Sequence, residues 1–160
     1  MATGSVSALD QDTWQLIQTN TTTSGSTSTF SGLSGYKKYM VAFENISKPA
    51  VNIVLTFNGN TSNYFGGTSL KFAAEYQTTI SGIKVAWSGI NSTLHGLYLI
   101  ENVNNGAPKT VKGELTDGGD NWIQEIRGGW LTTDPITSMT FTLPSGSFSA
   151  GAMKLYGIAG

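Results

Sequence analysis

The chain has no cysteine, a single histidine and very little charge: nine Lys and Arg stand against ten Asp and Glu in 160 residues. Each scarcity removes a class of chemistry. Without cysteine there is no disulfide and no thiolate nucleophile. With one histidine besides, a zinc site is nearly excluded. Any histidine-dependent hydrolysis would have to run through His95, in "TLHGLYL". No G-x-S-x-G elbow accompanies it. A catalytic site needs several convergent groups, so His95 reads as a turn or strand-entrance residue. The net charge of −1 leaves no basic patch to drive nucleic-acid binding. No apolar run reaches 18 residues, so no membrane-spanning helix is expected. The opening "MATGSVSALDQDTW" lacks the basic and apolar regions of a secretion signal, which predicts synthesis in a cytoplasm without export. "GNTSNYFGG" has neither the glycine spacing nor the lysine of a phosphate loop. No cofactor is expected.

What is present is glycine, at 20 residues, with abundant Ser, Thr and Asn and a hydrophobic share of 39%. Such a chain solvates itself with hydroxyls and amides. It is apolar enough to fold and long enough for one substantial core. The patterning has a period of two. In "VNIVLTF", Val51, Ile53, Leu55 and Phe57 point one way. In "MTFTL", Met139, Phe141 and Leu143 share a face, and in "IKVAW" Ile83, Val85 and Trp87 do. "WQLIQT" from Trp14, "KKYMVAFENI" from Lys37, "LYLIENV" from Leu97 and "AMKLYGI" from Ala152 add further strands. The polar stretch "TNTTTSGSTSTFSG" reads as two edge strands turning at residues 24–26, with Phe30 as an anchor. Turn residues cluster at 47–50, 58–63, 104–108, 117–121 and 144–147. The expectation is one all-β domain over 13–160, an antiparallel β-sandwich of about eight strands, preceded by a mobile arm over 1–12. The best helical stretch, "NWIQEIRGGW", meets Gly128 and Gly129 and is allowed one or two turns at most.

Four groups of residues warrant chemical scrutiny. Glu44 and Glu101, within apolar strands, are the one carboxylate pair worth testing as a glycoside-cleaving dyad; single charges on a solvated strand face explain them more simply. Asp117, Asp120 and Asn121 in "DGGDN" are oxygen ligands of the kind calcium takes, but Asp-Gly is also a common turn and no metal site is assigned. Trp14 and Trp87 fall on alternating strands and are expected in the core. Trp122 and Trp130 lie near glycine turns, where aromatics either close the end of a sandwich or serve an interface or a sugar. Tyr64 and Phe65, after the "NGNTSN" loop, either fold back as a lid on the core or anchor a subunit contact. Tyr64, Phe65, Trp122 and Trp130, with Arg127 between the two tryptophans, are the candidate partner-interface residues.

The strand-plus-loop "VLTFNGNTSNY" and the ending "FSAGAMKLYGIAG" resemble segments of structural proteins of tailed bacteriophages. There an apolar strand runs into an Asn/Gly/Thr loop followed by Tyr, and a Lys-Leu-Tyr-Gly-Ile strand closes the domain. The resemblance covers about 30 residues directly and supplies no catalytic residues. It implies a sandwich of jelly-roll type and a non-enzymatic role in the virion. A short chain beginning at Met1 with no fibrous stem points, on that reading, to a capsid decoration (cement) protein. It would act as a homotrimer that clamps the major capsid protein. The alternative is a tail-fibre, receptor-binding or carbohydrate-binding module presenting Trp122, Trp130 and Tyr64 to a sugar.

Overall fold

A computed structural model describes residues 13–70, 73–87, 93–104, 106–119 and 122–160, with backbone only at 68, 70 and 73–80. The arm expected over 1–12 lies outside the described residues. The described residues form twelve strands and no helix: β1 (Gln15–Thr21), β2 (Thr27–Ser31), β3 (Tyr36–Ser47), β4 (Ile53–Phe57), β5 (Tyr64–Leu70), β6 (Ala73–Ile80), β7 (Ile83–Ala86), β8 (Leu94–Glu101), β9 (Lys109–Asp117), β10 (Ile123–Trp130), β11 (Ser138–Thr142) and β12 (Ala150–Ala159). They build two antiparallel sheets packed face to face as a β-sandwich. The larger runs β1-β12-β3-β8-β9-β10-β5-β6 and the smaller β2-β11-β4-β7. The stretch allowed a helical turn is strand β10. Ile123, Ile126 and Trp130 fit a helical period, but pairing with β9 and β5 on both sides decides for the strand, which turns Ile123 outward.

The pairing is nested. β1 pairs β12, β12 pairs β3 and β3 pairs β8. In the other sheet β2 pairs β11, β11 pairs β4 and β4 pairs β7. Between these, the hairpins β5–β6 and β9–β10 join the larger sheet beyond β8 and extend it by four strands. β1 and β2, read from the sequence as polar edge strands, are edges of their respective sheets.

Alternation decides what each strand buries. On β3, Tyr39, Val41 and Phe43 are buried, while Lys38, Met40, Ala42 and Glu44 face outward and are partly exposed. Asn45 then takes a positive φ of 54° and the register shifts, so Ile46 also turns inward. This is what a β-bulge does. The two sheets meet through aromatic side chains: Phe141 of β11 packs edge-on against Phe43 of β3, ring centres 5.4 Å apart, and against Phe30 of β2 at 6.3 Å. The Tyr98 hydroxyl of β8 donates across the interior to the Val85 carbonyl of β7. Under the extension, Ile83 of β7 lies close to Gly66 and Gly128, where an added Cβ would come within 3.6 Å and 3.0 Å of it.

Candidate functional site

The loop that carries Tyr64 is built by its polar residues. Asn58 and Gly59 both take positive φ, and the Asn60 N–H donates to the Phe57 carbonyl at 2.9 Å, which is a type I′ turn. The Asn58 side chain accepts from the N–H groups of Thr137 (2.8 Å) and Ser138 (3.1 Å) and donates to the Pro135 carbonyl (2.8 Å). It thereby fastens the loop to the approach to β11. Tyr64 folds back onto this structure. Its hydroxyl accepts the Phe57 N–H at 2.7 Å and lies within donating distance of the Phe57 and Asn60 carbonyls. Burial pushes its pKa up to about 12.

Tyr64 sits directly opposite Trp130 in the β5–β10 ladder. The two rings stack at 5.9 Å and 15°, and Phe57 covers them at 5.8–6.2 Å. Both residues are 1% exposed. This corrects the expectation that they form a partner surface. Both point into the sandwich, where their contact area goes into the core. Trp122 is half-buried at the β9–β10 turn, where its carbonyl accepts the Asp117 N–H at 3.0 Å. Trp87 packs against the core, and Trp14, half-buried, precedes β1.

Phe65 and Arg127 have the opposite orientation. They lie on the outer face of the larger sheet and line a cavity of about 960 Å³ that spans β8, β9, β10 and β5. Its floor is read from the register. One row across the strands is Leu97, Glu114, Glu125 and Ser69; the next is Leu99, Lys112, Arg127 and Gly67. Like charges therefore face each other across β9 and β10, carboxylates in one row and cations in the next. Thr110, in the following row, lines one end, and Phe65 lies over Gly129, whose added Cβ would fall 2.7 Å from the ring. The sheet is tight at the β8–β9 pair beneath. Gly96 has φ +150°, and a Cβ there would lie 2.0 Å from the Glu114 carbonyl.

Lys112 is tied to Glu101 at 3.3 Å, and Glu101 also takes Lys38 at 3.1 Å. The hydrogen bond from Lys38, helped by Lys112, holds the Glu101 carboxyl below its usual range. Among the described residues Glu114, Glu125 and Arg127 form no ion pair. Leu97, 48% exposed, supplies apolar surface at the rim. Like charges are directly opposed across β9 and β10, while along each strand the same-face neighbours are of opposite sign, Lys112 with Glu114 and Glu125 with Arg127. Lys112, Glu114 and Glu125 did not emerge from the sequence, because nothing local says that β9 and β10 pair in this register.

The remaining candidates separate. Glu44 pairs with Lys154 at 2.7 Å, and Glu101 stands opposite Lys38, six residues from Glu44 along β3. At the rise of a strand that is roughly 20 Å, too far for a hydrolytic pair. His95 is half-buried on β8. The Asp117 side chain is buried, with Oδ1 accepting the Gly119 N–H at 3.0 Å, and Asp120 and Asn121 lie outside the described residues. Among the described residues no three His, Asp or Glu gather as a metal site would require.

Near Asp117 the sandwich closes over a buried lysine. The Lys48 ammonium donates to the carbonyls of Val51 (2.7 Å), Trp87 (3.1 Å) and Pro49 (3.2 Å). Burial lowers its pKa to about 8, and the Asp117 charge opposes that shift. Gln124 Oε1 accepts the Trp87 N–H at 3.1 Å beside it. This cluster fastens strand ends to one another.

No protein-family model, curated protein or solved structure matches this chain.

Proposed function

We propose that this protein is a non-enzymatic structural component of a bacteriophage particle, a decoration protein that binds the capsid shell as a homotrimer. The observation that carries the reading is the nested strand order. We read β1-β12-β3-β8 over β2-β11-β4-β7 as a double Greek key, the jelly roll, an architecture of viral capsid and lectin domains. Fold alone does not assign function. The reading gains from the resemblance of "VLTFNGNTSNY" and "FSAGAMKLYGIAG" to phage structural proteins.

The mechanism is mechanical. A rigid sandwich, its loops clamped as Asn58 and Tyr64 clamp theirs, presents edges and rims without losing much entropy on docking. Three linked copies convert several weak contacts with the major capsid protein into one tight attachment. No chemical step is involved, and the working location is the virion.

The test is a copy count. Quantitative mass spectrometry of purified particles should find hundreds of copies of the chain, and adding the purified protein to particles that lack it should raise their temperature of disruption. A count of a few copies, or none, would overturn the reading. Sedimentation velocity on the free protein separately tests the trimer.

A further inference from the structure

We propose that the outer-face cavity over β8, β9, β10 and β5 binds a neutral oligosaccharide chain. The proposal goes beyond attachment to a particle and does not depend on it.

The floor of the cavity is two parallel stripes. Glu114 and Glu125 form a stripe of hydrogen-bond acceptors, and Lys112 and Arg127, one pleat along, form a stripe of donors. A chain lying across the strands has one edge over each stripe. The backbone groups of these strands are already spent in the ladders, so recognition falls to the side chains. A ligand must therefore donate along one edge and accept along the other. A phosphate-rich polymer offers only acceptors, and the carboxylate stripe repels it. An extended peptide alternates N–H and C=O along each edge, so half of its groups meet the wrong polarity. Hydroxyls donate or accept as the site requires, and a glycan carries them on both edges.

The rest of the lining fits the same ligand. Phe65 and Leu97 offer apolar surface to the C–H faces of sugar rings. Arg127 has the fixed fork that holds two oxygens at once. Four strands span about 14 Å, and the volume of about 960 Å³ accommodates a short oligosaccharide.

The test uses the whole chain and named probes: cello-, xylo-, manno- and malto-hexaose, with heparin and an unrelated decapeptide in parallel. Calorimetry should show saturable binding of at least one neutral hexaose. Amide resonances at 97–99, 110–114 and 125–129 should shift on titration. Arg127→Ala and Glu125→Gln should each weaken binding at least tenfold, with melting temperatures close to that of the parent chain. Leu131→Ala, an exposed site away from the cavity, should bind as the parent does. Binding to none of the hexaoses would overturn the proposal. So would binding of heparin or the peptide alone, or hexaose binding that survives both cavity variants.

Discussion

The two faces of β5 and β10 invite comparison, since the same pair of strands carries both. On the inner face Tyr64 and Trp130 stack under Phe57 and are shut off from solvent. On the outer face Phe65, one residue along β5 from Tyr64, and Arg127, three along β10 from Trp130, line an open cavity. Two adjacent aromatics, Tyr64 and Phe65, thus have opposite fates. The pleat decides this, because successive side chains point to opposite sides of a sheet. The inner face spends its aromatic area on cohesion and tolerates almost no change. The outer face holds charged side chains at the rim of a cavity, and it is expected to accept change with little loss of stability.

That contrast can be broken from either side. The largest effect should come from Trp130→Ala. Removing the ring from the stack should cost about 3–5 kcal/mol of stability, read as a fall in the denaturant midpoint. A loss under 1 kcal/mol would mean that the inner face is not the core of the extension. Gly96→Ala should be next, at about 1–3 kcal/mol. The new methyl meets the Glu114 backbone, which has no soft side chain to yield. Tyr64→Phe keeps the ring but removes the acceptor of the Phe57 N–H and the fastening of the loop. It should cost about 1–2 kcal/mol, with faster amide exchange at Phe57.

A smaller effect is expected from pH. The folded chain holds Lys48 at about 8, against an ordinary 10.5. Between these values the unfolded chain keeps a proton that the folded chain has released, so stability rises as pH climbs from 8. Tyr64, pushed up from 10 to about 12, works the other way. Above pH 10 the unfolded chain loses the phenolic proton first, and stability falls. Denaturant midpoints should therefore peak at about pH 10, and Lys48→Met should abolish the rise on the acid side. The smallest change should be Arg127→Ser, within about 0.5 kcal/mol of the parent chain. A large loss there would make Arg127 a structural residue and erase the difference between the faces.

The strands legible from the sequence are the eight of the nested sandwich. β3, β4, β7, β8, β11 and β12 show apolar residues at alternate positions, as in Ile53, Leu55 and Phe57 or Met139 and Phe141, because one face of each is covered by the other sheet. β1 and β2 showed as polar strands around a glycine turn. β5, β6, β9 and β10 were missed, and the reason is physical. "YFGGTSL" and "IQEIRGGW" use glycine where Ile83 and Phe65 approach closely, which thins the apolar signal. "KTVKGELTD" alternates cleanly, but it buries Lys109 at one end and Asp117 at the other. Ile123, apolar and 56% exposed, lent β10 a false helical period.

The candidate site was half legible. Phe65 and Arg127 belong to the cavity, whereas Tyr64 and Trp130 belong to the core. A residue's type shows that it has something to bury or to bind. It does not show which side of the sheet it will occupy, because a shift of one residue reverses every side chain.

By itself the sequence determined the composition of the surface, the narrow range of chemistry and the period of two that makes β-sheet the outcome. These are local properties, carried by each residue and its near neighbours. Only the tertiary structure decided that β9 and β10 pair so that Glu114 meets Glu125 and Lys112 meets Arg127, and that Tyr64 turns inward while Phe65 turns out. Register and partner choice depend on contacts between residues far apart in the chain, and no short stretch of sequence contains them.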